Sequence, residues 1–317
     1  MFLFVLLFVF ALFYWWKNYA SFPHPKFPPG PYGLPLVGYL PVFSEENILI
    51  GFEKLHQKYG KVFSLNLGPN KRCVVIGDFK LLKDAFSGEK ANARPPDQQW
   101  FNKEIRYGDG TDSRGIVFSH GEEWSQQRRF TMRRLRDFGL GKSSMEDMIS
   151  EEVGDLLKLL DQKLNKPLEV RYIFNLSIIN GLWKIVTGTR FHLEDQKLKN
   201  LVKRLDELFN IFGFSSLLMT LPSLRHVFPQ WSGYVKFKET TKDVLQILQS
   251  FMDDHKSTFS MNDEPKDYID AYLREIQESQ PGSSFHGELG YKNLRSVILD
   301  LLFAGSETAS SKILDLI

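Results

Sequence analysis

Apolar residues change their period several times along this chain, and each change marks an element. The first sixteen residues, MFLFVLLFVFALFYWW, carry no charge and show neither a helical nor a strand period. Such a run predicts a helix with an apolar medium around its whole circumference. It lacks the basic start and small-residue cleavage site of a secretory leader. Trp15, Trp16 and Tyr19 stand where interfacial aromatics belong, and Lys17 and Lys26 follow. Residues 1–20 are therefore expected to be an uncleaved membrane anchor, with the bulk of the chain on the cytosolic side; the alternative is a helix buried in a core. Residues 21–36 carry prolines at 23, 25, 28, 29, 31 and 35. These forbid helix and favour an extended, stiff segment, either a hinge of fixed reach or an ordinary linker.

Residues 48–60, ILIGFEKLHQKYG, have apolar positions at helical spacing and end on Gly60, a helix-stop signal. Residues 61–78 alternate apolar and polar, break at Gly68-Pro69-Asn70 and resume as CVVI, which predicts a β-hairpin. Residues 79–87 return to a helical pattern. Residues 91–118 have little period and predict a long loop, of the kind that carries function. From 121 onward the pattern is helical over 121–136, 143–163, 171–188, 195–212, 231–258, 266–278 and 291–317. The apolar stretch 211–229 lacks helical caps and predicts either a loop dipping into a bilayer surface or core packing. The fold class expected is mainly α with a small β-sheet near the N-terminus, in a domain over residues 37–317.

The formal net charge of +2 over 317 residues gives no case for nucleic acid. One cysteine, Cys73, excludes a disulfide framework and points to a reducing compartment. The 27 phenylalanines suit a greasy interior or an apolar ligand pocket.

Two stretches could carry chemistry. In HGEEWSQQRRFTMRRLRDFG (120–139), Trp124 and Arg128 are four apart and share a helix face. Both donate hydrogen bonds, so the pair fits a carboxylate such as a propionate; the plainer reading is a core Trp beside a surface Arg. Arg129, Arg133 and Arg136 form a second stripe. With Arg134 and Lys142 they make a basic patch for an acidic partner, for anionic lipid, or simply a solvated face. In DLLFAGSETASSKILDLI (300–317), Gly305 weakens the helix relative to Ala. It marks either a close approach to the backbone or a bend at Gly305-Ser306. Thr308 can bond back to the carbonyl of Ala304, and Glu307 beside it supplies parts of a proton relay. The plainer reading is small-residue helix packing with a surface Glu.

Together these residues resemble the microsomal cytochrome P450 superfamily, in the clan that includes the drug- and steroid-oxidising family 2 enzymes. The resemblance rests on order and spacing: the anchor, PPGPYGLPLVG, HQKYGKVFSLNLG, then GIVFSHGEEWSQQRRFTMRRLRDFGLGKSSMED, the most specific block, and finally FAGSETAS. It implies the cytochrome P450 fold, as roughly the N-terminal two-thirds of it preceded by a membrane anchor. It implies that Trp124 and Arg128, and also Arg94, hold haem propionates. Ala304 and Gly305 would lie over the haem, and Thr308 and Glu307 would supply protons for O–O cleavage. Residues 97–118, 209–218 and 300–304 would line a substrate pocket, and Arg129, Arg133 and Arg136 would face an NADPH-dependent flavoprotein reductase.

The function implied is a haem-thiolate monooxygenase acting on a lipophilic molecule and O2 at the endoplasmic reticulum membrane, its globular part in the cytosol. One departure stands against it: the family's haem-ligating Cys loop and Glu-x-x-Arg helix are not present. That Cys is expected beyond Ile317, Cys73 is no substitute, and the chain reads as partial. The alternative is a non-catalytic fragment that cannot bind haem.

Overall fold

A computed structural model describes residues 2–15, 27–31, 33, 38–39, 48–67, 72–88, 91, 93–94, 99–107, 114–164, 170–212, 218 and 222–314. They fall into two compact units. One is Met1–Asn92 with Phe214–Ser232; the other is Ala93–Gly213 with Gly233–Ile317.

The first unit begins with helix α1 (Phe2–Trp15). Its side chains from Phe4 to Tyr14 are exposed on every side, as expected of a helix with no polar face. No helix among the described residues is long and apolar enough to cross a membrane. Helix α1 lies inside the anchor expected over residues 1–20, of which residues 1 and 16–20 lie outside the described residues.

Helix α2 (Ile48–Tyr59) ends at Gly60, whose φ of +91° is costly for any other residue. Strands β1 (Val62–Asn66) and β2 (Arg72–Ile76) then pair antiparallel, with Leu65 opposite Cys73. Leu55, Phe63 and Leu65 form a small core, against which Phe52, Tyr59, Val75 and Cys73 pack. Cys73 is thus a small hydrophobe on a strand, as its apolar neighbours predicted.

The described part of the proline-rich segment is tied to this hairpin. Pro29 O accepts from Ser64 N at 2.9 Å and Pro28 O from Ser64 Oγ at 2.7 Å. A Cβ on Gly30 would lie 1.9 Å from Ser64 O, so only glycine allows this approach. Helix α3 (Phe79–Phe86) follows, capped by Asp78, whose Oδ1 accepts from Leu81 N at 3.1 Å. A single helical turn, Leu224–Val227, ends on the exposed Val227 and precedes the exposed Phe228 and Trp231. Most of the rest of 211–229 lies outside the described residues.

The second unit is helical. A short helix α4 (Gln99–Phe101) runs into a π-helical turn, Asn102–Arg106. After it come α5 (Gly121–Asp137), α6 (Ser143–Gln162), α7 (Val170–Thr187), α8 (Gln196–Phe212), α9 (Tyr234–Thr258), α10 (Tyr268–Glu278) and α11 (Gly287–Leu314). The α4–π segment lies in what was expected to be loop. Its helical turns come from tertiary packing, which no local period announces: buried Phe101 stacks on Phe237, ring centres 5.0 Å apart, and Trp100 lies 6.4 Å from Tyr234.

Helix α11 packs along α7 and also against α9 and α10, burying Leu294, Val297, Ile298, Leu299 and Leu302. A Cβ at Gly305 would come within 2.6 Å of Leu182 Cδ2 on α7. The close approach that this glycine announced is therefore that of α7.

Two polar clusters tie the outer helices. Arg190 reaches Glu152 (Nε to Oε1, 2.5 Å) and Asp155 (Nη2 to Oδ2, 2.7 Å) on α6, while Asn180 Nδ2 donates to the other Glu152 oxygen at 3.0 Å. His255 on α9 faces three acceptors: Phe251 O at 2.7 Å from Nδ1, and Thr187 O at 3.2 Å and Asp267 Oδ2 at 3.0 Å from Nε2. Only an imidazolium with both N–H groups present suits that arrangement. Burial lowers the pKa of His255, but the hydrogen bond and charge of Asp267 outweigh it and raise it to about 9. A histidine with a raised pKa contributes its full stabilisation below its ordinary value near 6.5 and loses it as pH rises through about 9. His255→Gln is therefore expected to cost roughly 1.5–3 kcal/mol at pH 6. The gap to wild type closes by pH 10, as read from thermal unfolding across that range.

Candidate functional site

Helix α5 opens after His120 with Glu122 and Glu123 in its first turn and closes with Arg134 and Arg136 in its last, each sign at the end where the helix dipole favours it. Gln127, Phe130, Thr131 and Leu135 form its buried face. Trp124 is half-buried and Arg128 exposed. The guanidinium carbon of Arg128 lies 5.7 Å from the centre of the Trp124 ring, a cation–π stack between two side chains that both carry N–H donors. Arg129, Arg133 and Arg136 are all exposed.

Immediately before α5, residues 114–120 are held by α11. Oδ2 of Asp300, a buried residue of α11, accepts from the backbone N–H groups of Ile116 at 2.6 Å and Val117 at 3.0 Å. Gly115 has φ +73°, and a Cβ there would meet Asp300 Oδ2 at 2.4 Å, so the clamp requires glycine at 115. Gly115 N donates to Asn293 Oδ1 at 3.3 Å. From the other side, Arg94 Nε donates to Val117 O at 2.6 Å, and Tyr107 hydroxyl donates to Arg114 O at 2.7 Å. Arg94 thus reaches α11 through the loop. Asp300, expected to line a pocket, spends Oδ2 on this loop.

Further along α11, Thr308 Oγ1 donates to Ala304 O at 2.6 Å, the back-bond expected from its position. Ala304 and Thr308 are exposed, one turn apart, whereas Gly305 is half-buried beneath α7. The side chain of Glu307 lies outside the described residues. The structure therefore joins α5, the 114–120 loop, Arg94 and α11 into one connected group. Sequence reasoning missed Gly115, Glu123 and Asn293 as its joints. The available signal was Asp300 inside VILDLLF, since a carboxylate in an apolar helix needs partners.

A family model described as Cytochrome P450 matches residues 28–314. The chain belongs to the cytochrome P450 family. Among curated relatives, Cytochrome P450 2L1 of Panulirus argus is 32% identical over 292 residues, covering 90% of this chain and 57% of the relative. Cytochrome P450 2B2 of Rattus norvegicus is 32% identical over 308 residues, covering 91% and 58%. Farnesoate epoxidase of Bombyx mori is 32% identical over 295 residues, covering 90% and 57%. This P450 chain thus spans a little over half the length of the relatives it matches. The mainly helical fold, with a two-stranded sheet among the described residues, agrees with the P450 fold class.

The clamp has a direct test. Asp300→Leu leaves two backbone N–H groups without their acceptor and is expected to cost about 2–4 kcal/mol. Asp300→Asn, which keeps an acceptor oxygen but loses the charge, is expected to cost about 1 kcal/mol. Urea denaturation midpoints at neutral pH separate the two.

Proposed function

We propose that this chain supplies the oxygen-facing and propionate-facing residues of a haem monooxygenase that oxidises a lipophilic small molecule. The observation that carries the reading is the Trp124–Arg128 stack on α5, in a chain whose family match runs through that helix. The donors fit the group: an indole N–H and a guanidinium presented together suit a carboxylate, and Arg94 adds a second guanidinium beside the loop that precedes α5. When bound, the haem supplies the iron at which dioxygen is reduced.

This chain's own residues do the rest. Trp124 and Arg128 bind and orient the carboxylates. The small, exposed side chain of Ala304 would leave room for dioxygen at the haem. The Thr308 hydroxyl, which donates its hydrogen bond to Ala304 O, keeps its lone pairs to accept from a water and so would hold a proton donor in place; Glu307 would replenish the proton that this water gives up. Gly305, beneath α7, keeps α11 in position for both.

An NADPH-dependent flavoprotein reductase is the electron source, met by the exposed Arg129, Arg133 and Arg136. A bilayer surface, that of the endoplasmic reticulum with the globular part in the cytosol, is met by the exposed apolar α1 and by Val227, Phe228 and Trp231 (64%, 55% and 72% exposed).

The second reading is a non-catalytic chain that does not bind haem. Cys73, the sequence's single cysteine, packs half-buried against the hairpin core and is assigned no role at the haem in either reading.

One titration tests these readings. Haemin titration of the chain is expected to give a saturable Soret band, weakened about tenfold in affinity by Arg128→Leu and again by Trp124→Phe. No uptake overturns the haem assignment and supports the second reading.

A further inference from the structure

Asn293 is fully buried among the apolar residues of α11, and every bond its amide can direct inward is made. Nδ2 donates to Glu123 Oε1 at 2.9 Å and to Ser284 O at 2.9 Å, while Oδ1 accepts from Gly115 N at 3.3 Å. A leucine would fill similar volume without the cost of desolvating an amide. What the amide adds is direction.

Asn293 lies seven residues before Asp300, two turns of helix, so both face the 114–120 loop. The two side chains are rungs from α11 to the same loop, and the Asn293 rung also reaches Glu123, the residue before Trp124. The adjoining contacts lie on the same side of α5. Ser284 Oγ donates to Gln126 Oε1 at 2.8 Å and accepts from Gln127 Nε2 at 3.0 Å, and Tyr272 hydroxyl donates to Gln127 Oε1 at 2.6 Å. Glu123, Gln126 and Gln127 are therefore fixed, and the rotation of the first turns of α5 is fixed with them.

We propose that Asn293 is a positioning residue that sets the rotation and register of the start of α5 against α11, and so aims Trp124 and Arg128 at their anionic ligand. The aim at haem rests on the function proposed above; the positioning does not. The competing account is a buried cross-link that adds stability and aims nothing.

Asn293→Asp separates them. The new carboxylate still accepts from Gly115 N but has no N–H for Glu123 or for Ser284 O, and it sets two carboxylates within hydrogen-bond distance. Adding Glu123→Gln gives a side-chain N–H on α5 that can donate back to that carboxylate and leaves only the Ser284 bond unmade. With the full chain, N293D is expected to speed amide exchange at least tenfold over residues 114–128 and to leave α7 unchanged, each of the two lost buried hydrogen bonds being about 1.4 kcal/mol. Haemin affinity, followed by absorbance, is expected to fall at least tenfold, and N293D/E123Q to recover the Glu123 share of both, about tenfold.

Three results overturn the proposal: unchanged exchange at 114–128, exchange raised equally in α7, or no restoration by the double variant. Glu123→Leu removes the same bond from the α5 side and gives the same reading where N293D does not fold. If wild type takes up no haemin, the haem role of Trp124 and Arg128 falls, while the exchange measurements still decide the positioning.

Discussion

The carboxylate of Asp300 constrains the functional half of this molecule. It sits on a helix whose neighbouring side chains are apolar and buried, where an ionised group without partners is prohibitively costly. Its partners are the backbone N–H groups of Ile116 and Val117. That choice has consequences in order. The chain must approach the carboxylate closely, so position 115 must be glycine at positive φ. The loop then presents the Val117 carbonyl to Arg94 and its Gly115 N–H to Asn293. Because this loop runs straight into α5, the start of that helix inherits its place from α11, and with it the Trp124–Arg128 stack.

The remaining contacts keep α11 where the clamp needs it. Gly305 lets Leu182 of α7 reach the helix backbone. Arg190 gathers carboxylates of α6 near the end of α7, and the hydrogen bond it donates to Glu152 holds its pKa above the usual arginine range. His255, as an imidazolium, joins the carbonyl end of α7 to Asp267, which caps α10 through its other oxygen and Asp270 N. His255, Asp267 and Asp270 stand close enough to suggest a metal cluster, but both His255 nitrogens point at acceptors, which a metal-ligating histidine would not do. The exposed end of the arrangement is Ala304 and Thr308, toward the C-terminal part of α11.

Much of this was legible in the residues. Period-two alternation and Gly68-Pro69-Asn70 placed the hairpin, Gly60 stopped α2, and the spacing of Thr308 from Ala304 announced their hydrogen bond. The helices from α5 to α11 fell within a few residues of expectation. The larger shifts came at glycines: α9 begins after Gly233 at φ +80°, and α11 begins at Gly287, a turn early. What local pattern could not carry is what depends on partners distant in sequence. The π-helical turn at Asn102–Arg106 follows aromatic packing on Phe237, far along the chain. Glu123 looked like an ordinary first-turn acid and Asn293 like a weak helix former, because their bond spans 170 residues. Asp300 was visible as an anomaly, but its partners are backbone groups, which leave no signature of residue type. The α1 run, without a charged position over residues 1–16, was legible as a helix exposed on every side.

The most direct test of the account is the amide signals of Ile116 and Val117 in a sample labelled selectively with 15N isoleucine and valine. Two short hydrogen bonds to one carboxylate are expected to move both amide protons downfield and to slow their exchange with solvent. Both effects should be lost together in Asp300→Leu. Random-coil shifts with fast exchange in the wild-type chain would contradict the clamp, and with it the placement of everything from Arg94 to Arg128.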